Sequence, residues 1–110
     1  MKKRKNSRAK GARGELELAK FLEAKGFSAR RGQQFAGGSD SPDVICPDLN
    51  GYHIECKRVE SLNLYKAMAQ SIKDANGKKI PLVIHRKNDQ DWVAIIRLED
   101  LLNQFLYTGR

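Results

Sequence analysis

At 110 residues and a formal net charge of +8, the chain is expected to form one domain, large enough for a single core and too small for two. Hydrophobic residues at 40% and charged residues at 31% suit a globular domain, and no apolar run reaches membrane-spanning length or follows the basic N-terminus as a signal peptide would. The excess of 21 Lys and Arg over 13 Asp and Glu points to a polyanionic partner.

Lys2, Lys3, Arg4, Lys5, Arg8, Lys10 and Arg13 crowd into the first 13 residues. Such a run reads as a flexible arm or fraying helix start that neutralises phosphates without reading sequence, the alternative being a solvated tail. A second basic group, Arg30 and Arg31 with Lys57 and Arg58, favours nucleic-acid contact. A membrane surface ranks low, because the arm lacks large apolar residues to insert. From Gly14 to Lys25 the pattern is helical, with Leu18, Ala19 and Leu22 on one face and Gly26 placed to stop it. Phe27 to Gln34 reads as a short extended segment, followed by the Gly37-Gly38-Ser39 loop. Asp43 to Cys46 is a strand, Asn50-Gly51 a turn signal, and Tyr52 to Arg58 a second strand.

Ser61 or Asn63 caps a second helix that runs to about Ala75 and ends at Asn76-Gly77, with Leu64, Met68, Ile72 and Ala75 as its core stripe. Ile80 to His85 is a continuous apolar run and reads as a central strand, its Pro81 tolerable only near the start. Trp92 to Arg97 is a last strand, and a short helix from about Glu99 to Leu106 follows. The order α-β-β-β-α-β-β-α predicts an α/β fold, a mixed sheet flanked by helices. Cys46 and Cys56, each in an apolar strand, read as reduced core cysteines, which favours an intracellular setting: cytoplasm or nucleoid, or host cytoplasm for a viral protein.

Two segments carry the chemistry: Ser41-Pro42-Asp43-Val44-Ile45 and Ile54-Glu55-Cys56-Lys57. Their charges abut runs that read as buried strands, where ionised groups are costly. Glu55 and Lys57 share a face of their strand while Cys56 points the other way. Antiparallel pairing is expected to set Asp43 opposite a residue between Cys56 and Arg58, beside that pair. His53 shares the parity of Glu55 and reads as a surface or flanking residue, with metal ligation the minority alternative. Glu15 falls on the apolar stripe of the first helix, whereas Glu17 and Glu23 project away from it. Either it enjoys the helix dipole in the first turn or, as an inward acid, it completes a metal site. An exposed same-face ion pair is the plainer reading of Glu55 and Lys57.

Two or three carboxylates suit Mg²⁺ or Mn²⁺ rather than zinc. Such an ion acts on a phosphodiester and its attacking water, and Lys57 stabilises the charge that develops. The pattern points to a metal-dependent nuclease. No Walker loop, GxGxxG or Ser-His-Asp order is present, and no small-molecule substrate is indicated.

With these residues the chain resembles the PD-(D/E)xK nuclease superfamily, and within it the archaeal-type Holliday junction resolvases, phage members included. The resemblance spans roughly residues 12–101. It rests on Gly14-Glu15 opening a helix that ends in Lys25-Gly26-Phe27, on Gly38-Ser39, on Pro42-Asp43 with Glu55-Cys56-Lys57, and on Tyr65 and Gln70. It implies a restriction-endonuclease-like fold in a single nuclease domain, and a homodimer that nicks opposed strands of branched double-stranded DNA. Asp43, Glu55 and the backbone carbonyl of Cys56 would ligate Mg²⁺, with Mn²⁺ as substitute. Lys57 would assist the water, Glu15 would hold or orient the metal and water, and Gln70 would support the site. Ser39 is the implied loop serine, with Ser41 as the alternative. Two rival expectations stand beside this one: another nuclease of the superfamily (nicking, flap or restriction-like), or a nucleic-acid-binding module without catalysis.

Overall fold

The first helix, α1 (Ser7–Ala24), begins well before Gly14, so the second half of the basic run is helical rather than a flexible arm. Lys and Arg are good helix formers, and neither Gly11 nor Gly14 interrupts the hydrogen-bond ladder. The computed structural model of the protein describes residues 7–32 and 42–108, with backbone alone at 7–10, 107 and 108. At its far end α1 closes as expected at Gly26, whose φ of +103° lets the chain reverse. The Phe27 N–H donates to the Leu22 carbonyl and the Gly26 N–H to the Glu23 carbonyl, both at 3.0 Å, a paired C-terminal cap.

β1 (Arg30–Arg31) and β2 (Val44–Ile45) pair antiparallel, Arg30 opposite Ile45 and Arg31 opposite Val44. A 3-10 turn, Pro47–Leu49, leads into β3 (Tyr52–Arg58). α2 (Leu64–Ala75) then carries the chain to β4 (Ile80–Arg86), which lies parallel to β3, while β5 (Val93–Ile95) returns antiparallel to β4. α3 (Leu98–Thr108) follows. The observed order is the expected one, and β4 is the central strand of a mixed sheet ordered β3-β4-β5. Pro81 is its second residue, where a missing N–H does least harm. No described helix is long and apolar enough to cross a membrane.

Alternation divides the core. Ile54, Leu82 and Ile84 turn toward Leu18, Ala19 and Leu22 of α1, together with Val44 and Cys46. Val83 turns to Ala67 and Met68 of α2. α1 and α2 therefore cover opposite faces of β3 and β4.

α2 is capped as read, the Asn63 side chain accepting from the Lys66 N–H at 3.2 Å, and it ends at Asn76 in the left-handed region, φ 55°. Its buried face is Ala67, Met68, Ser71 and Ala75: Met68 and Ala75 of the expected stripe are buried, whereas Leu64 and Ile72 flank the face, exposed. The rotation follows from close approach: small residues let α2 lie near β3, where the Ser71 Oγ donates to the His53 carbonyl at 3.4 Å. His53 is accordingly buried, only 2% exposed, and not the surface residue its polarity suggested. Cys46 and Cys56 are free thiols, as expected.

Candidate active site

Asp43 stands one residue before β2, held by its backbone on both sides. Its N–H donates to the Ile54 carbonyl at 2.9 Å and its carbonyl accepts from the Gly32 N–H at 2.8 Å. The expected partner lay between Cys56 and Arg58. The contact falls instead at Ile54, because the reversal is longer than the Asn50-Gly51 turn alone: it starts in a 3-10 turn at Pro47–Leu49, where the Leu49 N–H donates to the Cys46 carbonyl, and continues through Asn50-Gly51. That shift brings the Asp43 carboxylate within reach of β3: Oδ2 accepts from the Cys56 N–H at 2.8 Å. A backbone donor so placed fixes the carboxylate's orientation. Gly32 is indispensable here, since a Cβ on it would lie 2.0 Å from the Pro42 carbonyl oxygen.

Glu55 and Lys57 project from the same face of β3, as their parity predicts. Lys57 Nζ lies 3.8 Å from Glu55 Oε2 and donates to Gln70 Oε1 of α2 at 3.4 Å. Glu55 is only 4% exposed. Burial first, and then the Asp43 charge, push its carboxyl up to about 7 against the pull of Lys57; Asp74 of α2 and Glu15 add smaller repulsions. Cys56 points the other way. Burial, then Asp43, push its thiol up to about 12, so it stays neutral and offers no thiolate.

Glu15 reaches the same region from α1. Burial and the Asp43 charge raise its pKa, and Arg31 opposes them, its Nε 3.1 Å from Glu15 Oε1. The inward reading of Glu15 therefore holds. Glu17 departs from expectation: instead of facing solvent it accepts from Arg58 Nε at 2.9 Å and pairs with Arg86. Arg58 Nη2 also donates to Asn88 at 3.0 Å. Gly14 packs directly on Arg58, where an added Cβ would lie 2.7 Å from the Arg58 Cβ. Gly14, Glu17 and the two arginines thus fix α1 against the ends of β3 and β4, and with it the position of Glu15.

Of the cations expected on nucleic acid, Arg13 and Arg30 are exposed, while Arg31 and Arg58 are engaged with Glu15 and Glu17. Lys2, Lys3, Arg4, Lys5, Ser39 and its alternative Ser41 lie outside the described residues, and of Arg8 and Lys10 only the helical backbone is described. Reasoning from sequence missed Gly32, Glu17, Arg86 and Asp74. Each takes its role from a contact made only in the folded chain, and Glu17, on the polar side of its helix, carries no local sign of its arginine partners 41 and 69 residues away.

Among the described residues, no three His, Cys, Asp or Glu side chains stand close enough to form a ready-made metal cluster. The donor set nonetheless fits a hard cation, which binds through one or two carboxylates and keeps several waters. Asp43, Glu55 and the Cys56 carbonyl are all oxygen donors. Burial, and after it the Asp43 charge, lifts both Glu55 and Glu15, and a divalent cation beside them would favour their ionised forms.

Comparison with known proteins agrees with this chemistry. The model of a family described as "Phage putative PDDEXK endonuclease" matches residues 6–109. No curated protein matches the chain. Among solved structures, the chain is similar to Archaeoglobus fulgidus Hjc, a Holliday junction resolvase from an archaeal hyperthermophile, at 28% identity and a TM-score of 0.56, over 79% of this chain and 72% of that one.

Proposed function

This chain belongs to the phage PDDEXK endonuclease family, and from that premise we propose that it is a single-domain, Mg²⁺-dependent endodeoxyribonuclease that resolves four-way DNA junctions by paired symmetric nicks, as a homodimer. One observation carries the chemistry: a carboxyl on Glu55, buried and lifted to about 7 by its surroundings, with the Lys57 ammonium 3.8 Å away and the Asp43 charge beside it. A buried acid perturbed by a second acid, with an ammonium at its side, is the kind of arrangement that active sites concentrate. The similarity to a Holliday junction resolvase supports the junction as substrate.

Asp43, Glu55 and the Cys56 carbonyl would hold the Mg²⁺, with Mn²⁺ able to replace it. When bound, the ion supplies Lewis acidity toward a phosphoryl oxygen and toward the attacking water. Asp43 is preset for ligation by the Cys56 N–H. Lys57, steadied by Gln70, offers its ammonium to the charge that grows on the phosphate and orients the water. Glu15, held by Arg31, closes the acidic side of the site and positions the water. Exposed cations, Arg13 and Arg30 among them, draw in the DNA backbone, and a Mg²⁺ on the carboxylates removes the repulsion those acids would otherwise exert on phosphates.

The test is to incubate the protein with labelled four-way junction, a flap and linear duplex, in Mg²⁺ and in EDTA. Symmetric paired nicks in the junction, absent with EDTA, are expected. Asp43→Asn should abolish cutting while junction binding persists. Undiminished cleavage by that variant overturns the site, and preference for linear duplex or flap overturns the substrate.

A further inference from the structure

α3 carries Leu98, Leu101, Leu102, Phe105 and Leu106 at i, i+3, i+4, i+7 and i+8 spacing, a single apolar stripe. All five are exposed, by 38% to 70%. Among the described residues no other element packs extensively on α3. A helix of 11 residues is too short to sustain itself in water, so the stripe needs a cover.

The charge around the stripe narrows the choice of cover. α3 carries Glu99 and Asp100 and neither Lys nor Arg, in a chain of net charge +8. The cation just ahead of the helix, Arg97, is taken up by Asp100, so phosphates have little to hold there. Two copies of so basic a chain repel each other over most of their surfaces, and the cation-free helix is where they can meet. The five side chains offer on the order of 600 Å² of apolar surface, at the top of what a monomer leaves in one patch and close to the roughly 800 Å² that each partner brings to a stable interface. A stripe centred on Leu102 is also self-complementary under a two-fold rotation.

We infer that α3 docks antiparallel on α3 of a second copy, with Leu102 near the two-fold axis. The inference deepens the homodimeric reading above and rests on it for one purpose, the delivery of two active sites to opposed strands. It assigns that assembly to a helix outside the catalytic motif.

Sedimentation of the full chain at micromolar concentration tests it. The wild-type protein should be a dimer, and Leu102→Glu and Phe105→Glu should each weaken the dimer by roughly 100-fold or more. Junction products from either variant should shift from paired to single nicks. Leu102→Cys guards against variants that merely lose helix structure: it should form an intermolecular disulfide under mild oxidation. The wild type should not, since Cys46 is buried and Cys56 half-buried. Variants that stay dimeric, or a dimeric Leu102→Cys that fails to crosslink, overturn the α3 interface while leaving the homodimer standing. A wild-type protein that sediments as a monomer overturns both, and junction cutting by that monomer would leave the chemistry intact.

Discussion

Gly14→Ala sets two effects of one methyl group against each other. Gly14 lies inside α1, where alanine in place of glycine favours the helix by about 1 kcal/mol. The added Cβ, however, would sit 2.7 Å from the Arg58 Cβ and 3.4 Å from its Cγ. Carbon atoms rest at about 3.5–4.0 Å, so helix and strand must part by roughly 1 Å. Arg58 cannot swing aside cheaply, because its guanidinium is held by Glu17 and Asn88. Overpacking of this kind costs about 1–3 kcal/mol, which leaves a net loss of about 0–2 kcal/mol. The larger effect falls on the neighbouring residue, Glu15. A displacement near 1 Å in a positioned group lowers rates by roughly 100-fold. Single-turnover cleavage of a four-way junction, read beside urea unfolding of the same preparation, measures both quantities. An alanine variant that is more stable than wild type by about 1 kcal/mol and cuts at the wild-type rate would refute the close approach of α1 to β3 and the positioning role drawn from it.

Glu17→Ala should strand Arg58 and Arg86 without a carboxylate and destabilise the fold by about 1–2 kcal/mol, discounted for the partial exposure of the trio; unfolding in urea measures it, and the loss should shrink with salt. Glu55 makes the metal-free protein sensitive to pH. Its carboxyl titrates at about 7 in the fold against 4.5 as the ordinary value, so the folded state holds the proton more tightly. The associated stability is fully present below pH 4.5 and is lost as pH rises to about 7, an amount on the order of 3 kcal/mol. Melting temperatures in EDTA should therefore fall between pH 5 and 7, and the stabilisation given by Mg²⁺ should grow over the same interval as the proton ceases to compete. A flat melting profile in EDTA would contradict the burial of that charge.

Local signals were legible wherever the cause of a feature is itself local. The Gly26 stop, the Asn63 cap, the Asn76-Gly77 exit and the shared face of Glu55 and Lys57 depend on residues within a turn or two, and each stands as read. What escaped depends on distant partners. Glu17 takes its role from arginines 41 and 69 residues away. The burial of Ser71 in place of Ile72 follows from the approach of α2 to the His53 carbonyl, which no helical period encodes. The Asn50-Gly51 turn stands as read, but the 3-10 turn at Pro47–Leu49 ahead of it set the Asp43 register, and the turn signal alone does not show it. Gly14 and Gly32 are written as ordinary glycines, and only the proximity of Arg58 and Pro42 makes them necessary.

Among the described residues, ion pairs within the chain fall to arginines except at Lys57, and exposed cations are mostly lysines, with Arg13 and Arg30 beside them. Arg31, Arg58, Arg86 and Arg97 each face a carboxylate of this same chain, where a planar fork outperforms a point charge. Lys20, Lys66, Lys73, Lys78, Lys79 and Lys87 stand exposed. Chemical acetylation, which reaches amines and spares guanidinium groups, should therefore weaken the protein's grip on polyanions, leaving Arg13 and Arg30 to hold what remains, while its melting temperature barely moves. Arginine-to-lysine exchange at the four paired sites should do the reverse, loosening the scaffold at constant net charge.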